Sequence, residues 1–178
     1  MKFFVTVALS LISFSVFSSN NPADTTVKGV SVRFTYSTSI FPESWQAAPI
    51  NATGEQLSVS EIQRCKVVMI KALNKYPPGA LKNELTAVYF LKSMKFYDVG
   101  YGGTNSTNAL YLTNDGITNG YNDLYLEQTF HHEYSSILFR NHPAYFDEDG
   151  WKRSNIKGFD YNDPENGVGA IRNNESSQ

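Results

Sequence analysis

Cysteine is almost missing from this 178-residue chain: Cys65 stands alone. One thiol excludes an intramolecular disulfide and any cysteine-based zinc cluster. Charge of one sign is not in excess either. Fifteen Lys and Arg face 17 Asp and Glu, and a net charge of −2 excludes the cationic surplus of a general nucleic-acid binder. Histidine is scarce, with three in all, and beyond the N-terminus no long apolar run occurs and nothing repeats. Aromatics, by contrast, are plentiful. Eleven Tyr and 12 Phe make the chain far too rich for a disordered polymer, and its length suits one globular domain.

The one long apolar run opens the chain. Lys2 gives a positive start, Phe3 to Phe17 is apolar apart from Thr6 and isolated serines, and Val16-Phe17-Ser18 offers a cleavage pattern. The run falls short of the about 20 apolar residues a membrane span needs. Its order of charge, apolar run and small residues predicts a signal peptide over 1–18, removed on export to a secreted or periplasmic location. No transmembrane segment is expected in the remainder of the chain, a domain over 19–161 and a polar tail over 162–178. Asn-x-Ser/Thr triplets at Asn51, Asn105 and Asn174 matter only where exported proteins are glycosylated.

Periodicity sets the expected elements. Val30, Val32, Phe34 and Tyr36 alternate with polar neighbours, which predicts a strand over 30–36. Pro42, Pro49 and Gly54 mark 37–57 as a long loop. Ser58 followed by Glu61 has the form of a capping box, and Ile62, Cys65, Met69, Leu73 and Tyr76 recur at helical spacing to about residue 76. Cys65 therefore belongs to a core stripe, with nothing beside it to hold a thiolate. Further strands are expected near 86–92 and 109–113. Gly100, Gly102 and Gly103 between them suit a hairpin better than a phosphate loop, because Asn105 stands where a dinucleotide fingerprint needs its last glycine. A helix over 123–141 comes next, capped by Asn122 or Asp123, with Leu126, Phe130, Tyr134, Ile137 and Leu138 on its apolar face. Residues beyond Pro143 have no regular period. The acidic stretches 147–150 and 160–163 lack calcium-loop spacing and suit solvated turns.

The chemistry-bearing residues sit on that last helix. His131, His132 and Glu133 are consecutive, and His142 lies further along. In the zinc motif His-Glu-x-x-His, residues i and i+4 lie about 40° apart on the helix surface, so two imidazoles reach one metal. The Glu at i+1, rotated by about 100°, activates the metal-bound water. His132 and Glu133 occupy the first two motif positions, and Ser136 occupies the place of the second ligand. His131 points away from His132. His142 has the spacing of a third ligand in an extended motif, but Phe139 fills the place where that motif needs a turn-forming glycine.

Residues 129–138, Thr-Phe-His-His-Glu-Tyr-Ser-Ser-Ile-Leu, resemble the metal helix of the exported zinc-binding metallopeptidases of the zincin (gluzincin) type, which reads Thr-Phe-His-His-Glu-Phe-x-His-Ile-Leu. The resemblance extends loosely over residues 30–141. It implies peptide-bond hydrolysis with zinc as cofactor, His132 as metal ligand, Glu133 as catalytic base, and a third ligand, a Glu, from a helix further on. Ser136 departs from that pattern, and no helix is evident around the acidic residues from Asp147 to Glu175.

These residues and the resemblance together predict an α+β, zincin-like domain. A small twisted mixed sheet carries one helix packed across it and the metal-site-type helix beneath. The expected function is that of a secreted metallopeptidase-like protein with an incomplete metal site and a peptide or protein substrate, weakly active or inactive. The alternative is a non-catalytic module that holds a peptide or glycan on the Tyr-, Asn- and Gly-rich surface from Asp98 to Tyr125.

Overall fold

The computed structural model describes residues 23–155. The expected signal peptide and the tail over 162–178 lie outside the described residues. Strands β1 (Thr25–Val27) and β2 (Val30–Arg33) form a hairpin. Helix α1 (Glu43–Gln46) and strand β3 (Thr53–Gln56) come next, then the long helix α2 (Val59–Asn74) and the short α3 (Pro78–Lys82). Strands β4 (Ala87–Phe96), β5 (Val99–Gly100), β6 (Gly103–Asn105) and β7 (Ala109–Thr113) precede the longest helix, α4 (Asp123–Asn141), and α5 (Glu148–Ser154). Among the described residues the result is a mixed seven-stranded sheet with five helices. No helix among the described residues is long and apolar enough to cross a membrane.

The sheet runs β1-β2-β4-β7-β6, with β3 and β5 paired to the far half of β4. Strand β4 is the spine. Its first half lies parallel to both β2 and β7, and its second half is antiparallel to β3 and β5. Such a doubly flanked strand reads as a near-continuous apolar run, which is why Ala87 to Leu91 stands out in the sequence. A bulge at Lys92, where Leu91 and Ser93 face consecutive residues of β3, shifts the alternation. Leu91, Met94 and Phe96 consequently face the same side.

Two apolar layers result. Val30, Val32, Phe34, Val88, Phe90, Leu110 and Leu112 meet α2 and α4 on one face, where Cys65, Met69, Leu73, Phe130, Tyr134 and Ile137 are fully buried. Against the other face lie Phe41, Ala52, Leu91, Met94, Phe96 and Tyr111, edged by Tyr36, Trp45 and Tyr101. The segment 37–57 supplies that second cover, so the expected long loop holds α1 and β3. Seven strands replace the three that periodicity marked, because β1, β3, β5 and β6 are too short or too polar to show a period of two. The glycine-rich hairpin is present, with Tyr97 and Asp98 both at positive φ in its two-residue turn.

Helix starts on α2 and α4 fall where the residues place them, but one cap differs. Asn122 Oδ1 accepts from the Tyr125 amide at 2.9 Å and caps α4. Ser58 makes no capping bond. Its expected partner Glu61 is drawn instead to Arg64 and to Asn114 Nδ2 at 2.9 Å. A charged partner outcompetes a reciprocal cap. The acidic stretch 147–150 is no open turn: Asp147 Oδ1 accepts from the Gly150 amide at 2.8 Å and caps the short α5, whose seven residues are too few to show a period in sequence.

Candidate functional site

Helix α4 lies across the helix-side face of the sheet, and its rotation decides what each motif residue can reach. Leu126, Phe130, Tyr134 and Ile137 anchor it in the core. Glu133, one step from Tyr134, is carried to the β6 margin of that interface and is 8 % exposed. There Asn105 Nδ2 donates to Glu133 Oε2 at 2.7 Å. Arg140, two turns further along α4, donates to Asn105 Oδ1 and to the Ser106 carbonyl at 3.1 Å. Register explains the meeting. Asn105 pairs with Leu110 and Gly103 with Leu112, so both face α4, while Thr104 faces the opposite side with Tyr111.

Gly103 is what allows the helix so close. A Cβ there would stand 2.6 Å from Thr129 Cγ2 and 2.9 Å from Glu133 Oε1. Burial raises the Glu133 carboxyl above its ordinary value, opposed by the Asn105 hydrogen bond and then by neighbouring His132. A carboxyl shifted upward in this way suits a proton acceptor, and equally suits a polar anchor inside a helix–sheet joint.

The other motif residues point elsewhere. His132 is exposed. Ser136, in the place of the second ligand, turns its hydroxyl back onto the His132 carbonyl at 3.2 Å, and Ser135 does the same at 2.7 Å. His131 turns toward the segment just past α2, where its Nδ1 lies 2.8 Å from the Tyr76 hydroxyl, and its Nε2 lies 3.7 Å from Glu127, one turn earlier on α4. His142 closes the end of α4 and meets Glu84 at 2.9 Å. The three imidazoles therefore engage three different surroundings. Among the described residues no group of three or more His, Cys, Asp or Glu side chains is placed to hold a metal ion. His132 and Glu133 do not fit a zinc site as they stand: one ligand faces solvent, the base is committed to Asn105, and the i+4 hydroxyl is spent on the backbone.

Cys65 behaves as its spacing implied. It is fully buried, accepts from Asn114 Nδ2 at 3.1 Å, and burial pushes its thiol up to about 11. Sequence reasoning missed Asn105, Gly103 and Arg140 as neighbours of Glu133. Asn105 stood out in the sequence only as a glycosylation triplet and as the residue that breaks a dinucleotide fingerprint, and its amide nitrogen is engaged by Glu133.

The surface from Asp98 to Tyr125 contains a depression of about 350 Å³ that Tyr101, Thr113, Tyr121 and Tyr125 line together with Ser93 and Lys95. Compared with models of known families, with curated proteins and with solved structures, the chain matches none.

Proposed function

We propose that this is an exported, metallopeptidase-like domain with an incomplete metal site, which holds a peptide without cutting it. The observation that carries the proposal is the division of the His-Glu pair: Glu133 turns inward to Asn105 while His132 faces solvent. The resemblance of residues 129–138 supplies the zincin-like assignment. Supporting it, the helix that bears the pair passes beside β6, which ends the sheet order on that side. An end strand offers unpaired backbone groups to an extended peptide.

Zinc titration by calorimetry, with a quenched-fluorescence peptide assay, tests this reading. The protein should take up no zinc at micromolar concentrations, and Glu133→Gln should leave peptide cleavage at background. Ser136→His should create zinc affinity by restoring an i, i+4 imidazole pair, without creating cleavage. Stoichiometric zinc uptake with cleavage that Glu133→Gln abolishes would overturn it. Mass spectrometry of exported material should show cleavage after Ser18.

A second reading, a module for a peptide or glycan on the Asp98–Tyr125 surface, is favoured by the tyrosine-lined depression there. Tyr121 and Tyr125 meet edge to face at 5.2 Å and give it a firm aromatic wall. Loss of ligand binding in Tyr121→Ala, with Glu133→Gln silent, would select it.

A further inference from the structure

Strand β7 ends at Thr113, opposite Leu91 of β4, and β5 joins that side of β4 only from Lys95 on. Between them Ser93 is paired by β3, on the other side. The depression of about 350 Å³ is lined from both banks of this gap, by Ser93 and Lys95 on β4, by Thr113, and by Tyr121 and Tyr125 at the start of α4. Open α/β sheets hold their ligands in such a place, outside the carboxyl ends of parallel strands. Its rim is fixed in advance. The Tyr101 amide donates to the Met94 carbonyl at 3.1 Å, and the Thr113 amide to the Gly102 carbonyl at 3.0 Å. Gly102 seats the Tyr125 hydroxyl where any Cβ would collide with it.

We infer that this depression binds an acidic sugar of the uronic acid class through Lys95, Ser93 and Tyr121. The inference rests on the second reading of this surface and names its ligand. Unspent polar groups carry it. The Lys95 ammonium and the Ser93 and Tyr121 hydroxyls line the one depression, and none of them has a hydrogen-bond or ion-pair partner among the described residues. No acidic side chain lines it. Lys92 on the same strand, by contrast, is answered by Glu55 at 3.4 Å and Asp115 at 3.8 Å. A carboxylate satisfies the ammonium with a charge-assisted bond, and ring hydroxyls satisfy the two protein hydroxyls. An acidic peptide side chain would meet the first need and leave the second. Tyr121 and Tyr125 meet at 83° with centroids 5.2 Å apart, an apolar wall with a polar tip of the kind that suits the C–H face of a sugar. The volume, near the bottom of the range of about 300–1,000 Å³ for small-ligand sites, suits a single sugar unit.

Methyl β-D-glucuronide and methyl β-D-glucoside differ only in a carboxylate against a hydroxymethyl group, so the pair isolates the charge. Each is titrated into nitrogen-15-labelled protein at fixed ionic strength, and amide shifts are followed by NMR. The glucuronide should give saturable shifts at Lys95, Gly100 and Gly102 and bind about fivefold more tightly than the glucoside. That preference should shrink as salt is raised. Lys95→Gln should bring the glucuronide down to the affinity of the glucoside and leave the glucoside unchanged. Lys95 is exposed, so the variant should keep the parent's melting temperature. Tyr121→Phe keeps the ring, removes the hydroxyl and should weaken both sugars. Equal affinity for the two glycosides, or a preference that survives Lys95→Gln, would overturn the acidic-sugar site and leave the glycan reading standing. No saturable shift with either would remove both. Tighter binding of acetyl-Gly-Glu-Gly-amide than of the glucuronide would give the site to a peptide and overturn the sugar.

Discussion

Asn105, near the margin of the sheet, and Glu133, in the middle of α4, are joined by one hydrogen bond of 2.7 Å that ties helix to strand. Asn105 also receives Arg140, so its amide is used at both ends. Replacing it with alanine leaves a buried carboxyl without its donor. Asn105→Ala should cost about 1–3 kcal/mol of unfolding free energy near neutral pH. The loss should shrink toward pH 4.5 and below, where Glu133 is protonated in both variant and parent. Urea denaturation at the two pH values checks it.

Glu133 carries a pH signature of its own. Its carboxyl is raised above 4.5 in the folded chain, chiefly by burial. The unfolded chain therefore releases this proton first, and stability falls as pH rises from about 4.5 through the folded value. Above that window the ionised carboxylate is a standing penalty. Glu133→Gln keeps an oxygen for Asn105 and removes the charge. Its melting temperature should exceed the parent's at neutral pH, and the advantage should vanish in acid. A parent-like or lower value at neutral pH would show that the carboxylate is stabilising.

Most of the helix-side core was legible in the sequence, because α2 and α4 are long enough to repeat their apolar spacing several times. Met69, Leu73, Phe130 and Tyr134 are buried where that spacing put them. The second layer was not legible. Trp45 reaches it from a helix of four residues, and Ile50 and Tyr101 from the connections between elements, all too short for any period. The motif residues were visible as a pattern, yet their rotation was not. Whether Glu133 faces inward and His132 outward depends on how β6 approaches α4, and that depends on Gly103. Glycine at a close approach looks in sequence like glycine in a turn.

Glu127 should govern behaviour in acid. Salt bridges from α2, with Lys71 Nζ at 3.0 Å and Lys75 closer, surround its carboxylate. The hydrogen bonds of Lys75 and then Lys71 hold it down at about 2, against an ordinary 4.5. A depressed carboxyl contributes stability that is present above the unfolded value and lost as pH falls toward the folded one. Both lysines are more than half exposed, so water screens the pairs and the contribution is about 1 kcal/mol. Glu127→Gln should lower stability by that amount at neutral pH. Between about pH 4.5 and pH 2 the parent's stability should fall toward the variant's. Parallel acid transitions for the two would remove Glu127 from this role.

Gly103 sets the distance between β6 and α4, and a methyl group placed there has nowhere to go. Thr129 Cγ2 would stand 2.6 Å away and Glu133 Oε1 2.9 Å away, well inside van der Waals contact. Gly103→Ala should destabilise by about 1–3 kcal/mol, the ordinary cost of overpacking. Thr129→Ser offers relief, since serine loses the methyl group but keeps the hydroxyl that donates to the Tyr125 carbonyl at 2.9 Å. The double variant should recover part of the loss, while the Glu133 clash keeps recovery incomplete. A thermodynamic cycle over the four proteins measures the coupling. Strict additivity would mean that helix and strand separate freely at this point, and that Glu133 is not held by the close approach.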